Sequence, residues 1–482
     1  MSDTVRTRFA PSPTGYLHVG NARTALYSYL FARRHNGRFV MRIEDTDAER
    51  NVEHGAEAIV EALRWLGLDW DEGYAKGGPH GPYVQTERLD RYRAATNALV
   101  AQGDAYPCYC TAEELAQRRK QAEARGLPTG YDGHCRRLSA EQVRAYEAEG
   151  RRPAVRFRLP DEGETVVEDL IRGTVRFDNA TLTDFVILRA NGIPTYLLSA
   201  VFDDLDMGVT HVIRGEDLFP ATPGQVHVFR ALGQPVPPRF AHLPLIVGAD
   251  RKKLSKRRDR VAVQAFQADG YLPEAMVNYL ALLGWSLDDH TELFTLQELE
   301  RLFSLERVSR NPAAFDSRKL DALNGHYMRR LEPEEFVRRA LPFVRAAGFA
   351  DADPVLLARA APLVVERVTR LDEVAGMVGF LLTDPVELDQ AAVAKVLNEE
   401  GRGFLVDAAK RLETVEPWTA AAVEASLRGL QEERQLKPKT AFQPVRLAVT
   451  GRLVSPPLFE SMELLGKARS LARLERAAGL SG

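Results

Sequence analysis

The sequence predicts an α/β fold built on a doubly wound parallel sheet, followed by a C-terminal third that is all α. Three observations carry that expectation. The chain opens on a strand, a proline- and glycine-rich turn and a helix in quick succession. Apolar strand-like segments recur at residues 38–43 and again before Arg214. From Pro273 to the end, apolar residues fall three and four apart, with Gly and Pro as stops. No repeat of fixed period and no low-complexity tract interrupts the pattern.

The opening elements follow from local chemistry. Val5 to Phe9 reads as a strand, because β-branched and aromatic residues alternate with Arg6 and Arg8. Pro11, Pro13 and Gly15 oppose both strand and helix, so the backbone must turn. Ala22, Leu26 and Leu30 then line one helical face, which ends in Arg33, Arg34, His35, Asn36 and Gly37. Cations and a glycine suit a helix C-terminus. A strand, a tight turn and a helix N-terminus form an anion site, since free N–H groups point at an arriving phosphate. His18 and Gly20 stand at its mouth. Gly20 leaves room for a flat ligand, and His18 can donate to a phosphate oxygen.

A second stretch, KKLSKRRDR at 252–260, lies in a run of seven Lys and Arg residues between Asp250 and Val261. Such a run repels itself and is expected to be solvated, with Lys256 at its tip beside the turn of Ser255. It suits a triphosphate whose charge moves during reaction.

Length bounds the rest. A chain of 482 residues should form several domains. Its 45% hydrophobic and 27% charged content is that of an ordinary globular protein. No apolar run approaches the ~20 residues of a membrane span, the first residues lack a secretory h-region, and three cysteines argue against an oxidising compartment. A cytoplasmic protein is expected. The net charge of −3 means that a nucleic acid would have to meet local basic patches, such as 251–260 and 467–476.

Residues 38–43 alternate as a second strand ending in Glu44, Asp45, Thr46 and Asp47. Ligands of doubly wound sheets bind outside the carboxyl ends of strands, so this acidic group is expected to face substrate; a solvated loop is the alternative. A helix to Trp65 and a Gly-rich connection follow. Residues 106–189 carry Cys108, Cys110 and Cys135, close enough in sequence for a structural zinc knuckle. Tyr131 and His134 lie close by as candidates for a fourth ligand; a metal-free knuckle packed by Tyr109 and Tyr131 is the alternative. Residues 184–218 read as strands and turns, with a helix behind them over 222–233. Leu197, Leu198, Val201 and Phe202 are read as core. Arg214 closes an apolar strand, where an unpaired guanidinium is costly, so a carboxylate partner is required. Asp217 and Glu216 are candidates for that partner.

HVG at 18–20 and KLSKR at 253–257, with SPTG and RIEDTD around them, resemble the HIGH and KMSKS signatures of class I aminoacyl-tRNA synthetases, and specifically of bacterial-type glutamyl-tRNA synthetases. The resemblance spans essentially the whole chain. It implies a Rossmann-like catalytic domain over 1–105 and 190–240, split by an acceptor-stem-binding insertion over 106–189. A stem-contact domain over 241–330 and an α-helical anticodon-binding region over 331–482 would follow. It implies ATP with Mg²⁺ as reactants, zinc in the cysteine knuckle, and L-glutamate and tRNA(Glu) as partners of a monomer. By the same resemblance, His18 and Lys256 are the catalytic pair, and Gly20, Lys253, Ser255 and Arg257 join them in binding ATP. Arg8, Ser12, Glu44, Tyr196 and Arg214 would hold glutamate, with Glu44 on its ammonium and Arg214 on its side-chain carboxylate. Arg367 would read the third anticodon base. Zinc would rest on Cys108, Cys110, Cys135 and Tyr131. Two positions depart from the family: Leu218 stands where histidine is frequent, and Ala221 where asparagine is usual. Contacts made by those side chains are not carried over. The alternatives are a non-catalytic tRNA-binding paralogue, for which His18, Gly20, Lys253 and Lys256 have no use, and a glutamyl transferase to a modified tRNA base, which lacks the helical C-terminal region.

Overall fold

The computed structural model describes residues 4–252, 254 and 261–479. Lys253, Ser255, Lys256 and Arg257 therefore lie outside the described residues. The chain divides into two compact units, Met1–Ala265 with Met276–Asp316, and Phe266–Ala275 with Ser317–Gly482.

In the first unit, strand β1 (Arg6–Phe9) passes through the Pro/Gly turn into helix α1 (Val19–Arg34). Strand β2 (Arg38–Met41), helix α2 (Gly55–Trp65) and the short β3 (Glu72–Gly73) complete a parallel sheet of order β1-β2-β3. Arg6 pairs with Arg38, and Val40 with Glu72. Ala22, Leu26 and Leu30 are fully buried on α1, as their spacing predicts.

Helix α3 (Leu89–Gln102) leads to β4 (Ala105–Cys108), α4 (Ala112–Ala124) and α5 (Ala140–Ala148). Strands β5 (Ala154–Phe157), β6 (Glu164–Asp169), β7 (Gly173–Asp178) and β8 (Val186–Leu188) follow. Here the 106–189 segment serves two structures. β4, β5 and β8 form an antiparallel sheet of their own, whereas β6 and β7 form a hairpin whose β6 pairs with β10 (Arg239–Leu243).

The remaining elements of the sheet are α6 (Tyr196–Asp206), β9 (His211–Gly215) and α7 (Thr222–Ala231). β9 pairs in parallel with β10, placing Arg214 opposite His242. β9 also runs beside β1, since Arg6 N–H donates to Thr210 Oγ1 at 2.8 Å and Thr210 N–H donates to Arg6 O at 2.9 Å. Strands therefore lie in the order β3-β2-β1-β9-β10-β6-β7.

One expectation is overturned. Residues 196–206, expected as strand and turn, are helical in α6. The apolar residues Leu198, Val201 and Leu205 recur at three and four, a period that buries one face of a helix. A run with one β-branched residue has little reason to extend.

The second unit is helical throughout its longer segments, from Ser317–Arg329 to Lys467–Ala478. Its core joins Phe336, Val344, Leu357 and Val364 to Leu405, Leu427, Leu447 and Met462. No helix among the described residues is long and apolar enough to cross a membrane.

Candidate active site

The turn after β1 is held from three sides by backbone hydrogen bonds. Glu44 N–H donates to Pro11 O at 3.0 Å, Val52 N–H to Pro13 O at 2.9 Å, and Thr14 N–H to Ser12 O at 2.8 Å. Gly55, the first residue of α2, is a required glycine, because a Cβ there would lie 2.5 Å from Pro13 O. The second signature stretch is tied to this same turn. Val19 N–H donates to Val261 O at 2.8 Å, and Val263 N–H to Leu17 O at 2.9 Å. On its other side, Leu254 N–H reaches Ile246 O at 3.2 Å, next to β11 (Ile246–Val247). Both flanks of the basic stretch are thus anchored in the first unit, the later flank directly against His18.

His18 is the N-cap of α1, its Nδ1 accepting from Gly20 N–H at 3.0 Å. With Nδ1 an acceptor, the neutral ring carries its proton on Nε2, as a donor. Gly20 matters for that cap as well as for ligand access. A Cβ on it would approach the His18 ring at 3.3 Å.

The carboxyl ends of β1, β2 and β9 converge on a buried set of charges. Arg8 Nε donates to both oxygens of Asp204, at 3.0 and 3.2 Å, and its NH1 reaches Ile213 O at 3.4 Å. Arg42 donates to Asp204 at 2.9 Å and to Glu44 at 2.9 Å, with Asp203 at 3.5 Å. Arg88 Nε donates to Asp203 at 2.7 Å, and Gln85 and Tyr92 complete that carboxylate's shell. Burial opposes the charge on Arg42, but Asp204, Asp203 and Glu44 outweigh it and hold its pKa well above the ordinary value. Burial pushes Glu44 up, against the pull of Arg42 and Arg8. Burial pushes Asp203 up as well, whereas at Asp204 it is outweighed by Arg8 and Arg42, which hold that carboxyl down. Arg42, Asp203 and Asp204 escaped the sequence reading. Their signal was a pair of aspartates inside an apolar helix, which a buried helix tolerates only opposite cations.

Arg214 differs from all of these. It is 4% exposed, yet its partners are neutral: Nε donates to His242 Nε2 at 2.9 Å, NH1 to Tyr196 Oη at 2.8 Å, and NH2 to Thr222 Oγ1 at 2.9 Å. Among the described residues no carboxylate takes the place required from the sequence. Glu216 is engaged by Arg172 and by Leu245 N–H, and no ion pair of Arg214 occurs among the described residues. A six-residue 3₁₀ helix over Glu216–Ala221, which includes Leu218 and Ala221, carries the chain from β9 into α7. Ser12, by contrast, is exposed, with only its carbonyl engaged in the turn. The geometry thus brings Arg8, Glu44, Tyr196 and Arg214 together and leaves Ser12 at the rim.

The cysteines form a second centre. Cys108, Cys110 and Cys135 place their sulfurs within 4.8 Å of one another, with Cys110 and Cys135 at 3.5 Å. Tyr131 Oη lies 3.6 Å from Cys108 Sγ and 4.0 Å from Cys110 Sγ, and accepts from Cys135 N–H at 2.8 Å. A tetrahedral zinc with Zn–S bonds of about 2.3 Å needs ligand separations of about 3.8 Å, so three sulfurs and this phenol oxygen fit. His134 is not part of the set. Arg156 donates to Cys108 Sγ at 3.3 Å and stacks its guanidinium on the Tyr131 ring at 3.8 Å. A hydrogen bond from Cys135, with Tyr131 and Arg156 assisting, holds the Cys108 thiol well below its ordinary range, while burial and the neighbouring Cys108 push Cys110, Cys135 and Tyr131 up.

In the second unit, Arg367 lies in the turn after helix Pro354–Val364 and not on the helix itself. Its Nε donates to Ser455 O at 3.2 Å, beside Arg446, which donates to Pro456 O at 2.7 Å.

Comparison with known proteins bears directly on this arrangement. The family model for the catalytic domain of class I tRNA synthetases (E and Q) matches residues 4–322, and that for an anticodon binding domain matches 335–478. A glutamate–tRNA ligase from Moorella thermoacetica is 47% identical over 98% of both chains, and one from Nocardioides sp. is 48% identical over 99% of both. The crystal structure of a glutamate tRNA ligase from Elizabethkingia meningosepticum, in complex with its amino acid, superposes with a TM-score of 0.89 at 33% identity, covering 99% of each chain. With nearly half of its residues shared over nearly its full length, the chain belongs to the glutamate–tRNA ligases of the class I aminoacyl-tRNA synthetase family.

Proposed function

We propose that this chain activates L-glutamate with ATP, carried as its magnesium complex, to glutamyl-adenylate and pyrophosphate, and passes the glutamyl group to the 3′ end of tRNA(Glu). Such ligases work in the cytoplasm, which we take as its place too. The observation that carries the reading is Arg214, a buried guanidinium with three neutral partners at the carboxyl end of β9. It lacks one carboxylate, and the side chain of glutamate supplies one.

The reaction needs no protein nucleophile. The α-carboxylate of glutamate attacks the α-phosphorus, and a ribose hydroxyl of the tRNA then attacks the adenylate. Catalysis is positioning and charge stabilisation. His18 donates from Nε2 to the triphosphate at the N-terminus of α1, where the helix adds its own favourable field. Lys253, Ser255, Lys256 and Arg257 are proposed to close on the same phosphates, with Lys256 as the catalytic partner of His18. Glu44 keeps a second oxygen for the substrate ammonium while its first accepts from Arg42. Arg8, steadied by Asp204, and Tyr196, steadied by Arg214, line the amino-acid site with Ser12 at its edge. A neutral amide offers Arg214 no counter-charge, which turns its isolation into selectivity against glutamine. Zinc is proposed on Cys108, Cys110, Cys135 and Tyr131, where it would hold the knuckle together. Arg367 is proposed to read the third anticodon base.

Pyrophosphate exchange into ATP should occur with glutamate and not with glutamine, and should require tRNA(Glu). Arg214→Ala should lower kcat/KM for glutamate by roughly 10²–10³·⁵, from the ~3–5 kcal/mol of an unpaired buried charge. Wild-type-like glutamate use in that variant would sink the assignment. Elemental analysis should find about one zinc per chain, lost in Cys108→Ser and in Cys135→Ser together with a lowered melting temperature; a metal-free protein that melts normally would refute the knuckle. Arg367→Gln should narrow the ratio of tRNA(Glu) to tRNA(Gln) charging, and an unchanged ratio would remove Arg367 from anticodon reading.

A further inference from the structure

Three side chains form a row across adjacent strands. Arg214 on β9 faces His242 on β10, and Asp169 at the end of β6, in register with Phe240, reaches the His242 ring with its carboxylate. His242 and Asp169 have fully buried side chains. Asp169 Oδ1 accepts from Ile171 N–H at 2.9 Å and Arg172 N–H at 2.8 Å. Its Oδ2 accepts from His242 Nδ1 at 2.6 Å and from the His242 backbone N–H at 3.2 Å. At the far side of the ring, Nε2 accepts from Arg214 Nε at 2.9 Å, with Thr222 Oγ1 3.2 Å away. The directions of these bonds fix one tautomer, with the proton on Nδ1 and a lone pair on Nε2.

The ring is also the neutral species. Burial and the Arg214 cation hold its pKa below the ordinary value, against the pull of Asp169. Phe219 and Phe240 pack on the ring, at 4.9 and 6.1 Å between centroids, and Arg172 nearby is occupied by Glu216. An imidazole therefore separates the guanidinium from the Asp169 carboxylate. Direct contact with that carboxylate would fix Arg214 equally well and cancel its charge.

We propose that His242 and Asp169 are positioning residues for Arg214, a tautomer-locked acceptor that fixes the guanidinium while leaving its charge for the substrate carboxylate. This rests on Arg214 reading the carboxylate of glutamate. Neither His242 nor Asp169 touches the substrate in this arrangement; both act through Arg214.

Asp169→Asn tests the lock with a change of one atom. The Ile171 and Arg172 donors keep the amide oxygen at the Oδ1 position, so the amide nitrogen replaces Oδ2 and donates to Nδ1. The ring proton then moves to Nε2, and two N–H groups confront each other at Arg214. KM for glutamate should rise about tenfold to a hundredfold, the effect of leaving a buried donor without its acceptor. kcat should stay within about threefold and KM for ATP should not move, as expected when only substrate binding is lost. His242→Phe, which suits the aromatic surroundings but accepts nothing, should give the same pattern, with folding checked by thermal melting. Either folded variant with an unchanged KM for glutamate would overturn the proposal, as would a uniform loss in kcat and in KM for ATP. Arg214→Ala is measured alongside. If it too leaves glutamate binding intact, the reading of Arg214 itself fails; if it alone raises KM, only the positioning role falls.

Discussion

Removing a guanidinium from water costs several kcal/mol unless an anion accompanies it, and the first unit buries four of them at one edge of its sheet. Three are compensated inside the protein. Arg8, Arg42 and Arg88 are matched by Asp204, Glu44 and Asp203 in a connected set of ion pairs. The fourth, Arg214, is held by an imidazole, a phenol and a hydroxyl. A closed set of charges needs nothing further, whereas an open one is stabilised by whatever anion arrives. That difference sets Arg214 apart from its three neighbours at this edge of the sheet.

The fold makes that difference possible by where its elements end. β1, β2 and β9 run in parallel and finish together, so Arg8, Arg42 with Glu44, and Arg214 arrive from three strands at one edge. Helix α6 contributes twice. Its first residue, Tyr196, meets Arg214, and two turns later Asp203 and Asp204 meet Arg42 and Arg8. The first residue of α7, Thr222, supplies the third acceptor. The proposed amino-acid site is therefore built from element termini, whose backbone positions are set by sheet pairing and core packing.

Much of this could be read from the chain. The Pro/Gly turn, the helix after it and the burial of Ala22, Leu26 and Leu30 follow from local rules, and the structure has them. Arg214 was legible as a problem, a cation at the end of an apolar strand, but not as its answer. Asp217 and Glu216 are near in sequence, while the real partners Tyr196, Thr222 and His242 come from three different elements. Residues 196–206 were misread because Tyr, Val and Phe suit strands, and only the spacing of Leu198, Val201 and Leu205 argued for helix. His242 and Asp169 were invisible for a related reason. A histidine in an apolar strand carries no sign of which strand lies beside it, and parallel pairing brings residues together from far along the chain.

The contrast between closed and open charge sets extends to the second unit. Arg367 and Arg446 both bind the Ser455–Pro456 segment through carbonyl or hydroxyl oxygens, and neither makes an ion pair among the described residues. Burial, with the nearby Arg367 charge, holds the Arg446 pKa below its ordinary value. Arg411, in the same unit, is spent on Glu433, and Arg339 on Glu274 and Glu335. Those pairs close on themselves at the surface and are worth little. The two guanidiniums repel each other, with Glu460 only partly offsetting the charge at Arg446, and the proposed contact with an RNA base edge or phosphate would relieve that repulsion. Arg214 in the first unit and the Arg367–Arg446 pair in the second thus share one feature, guanidiniums held by neutral acceptors with no ion pair among the described residues.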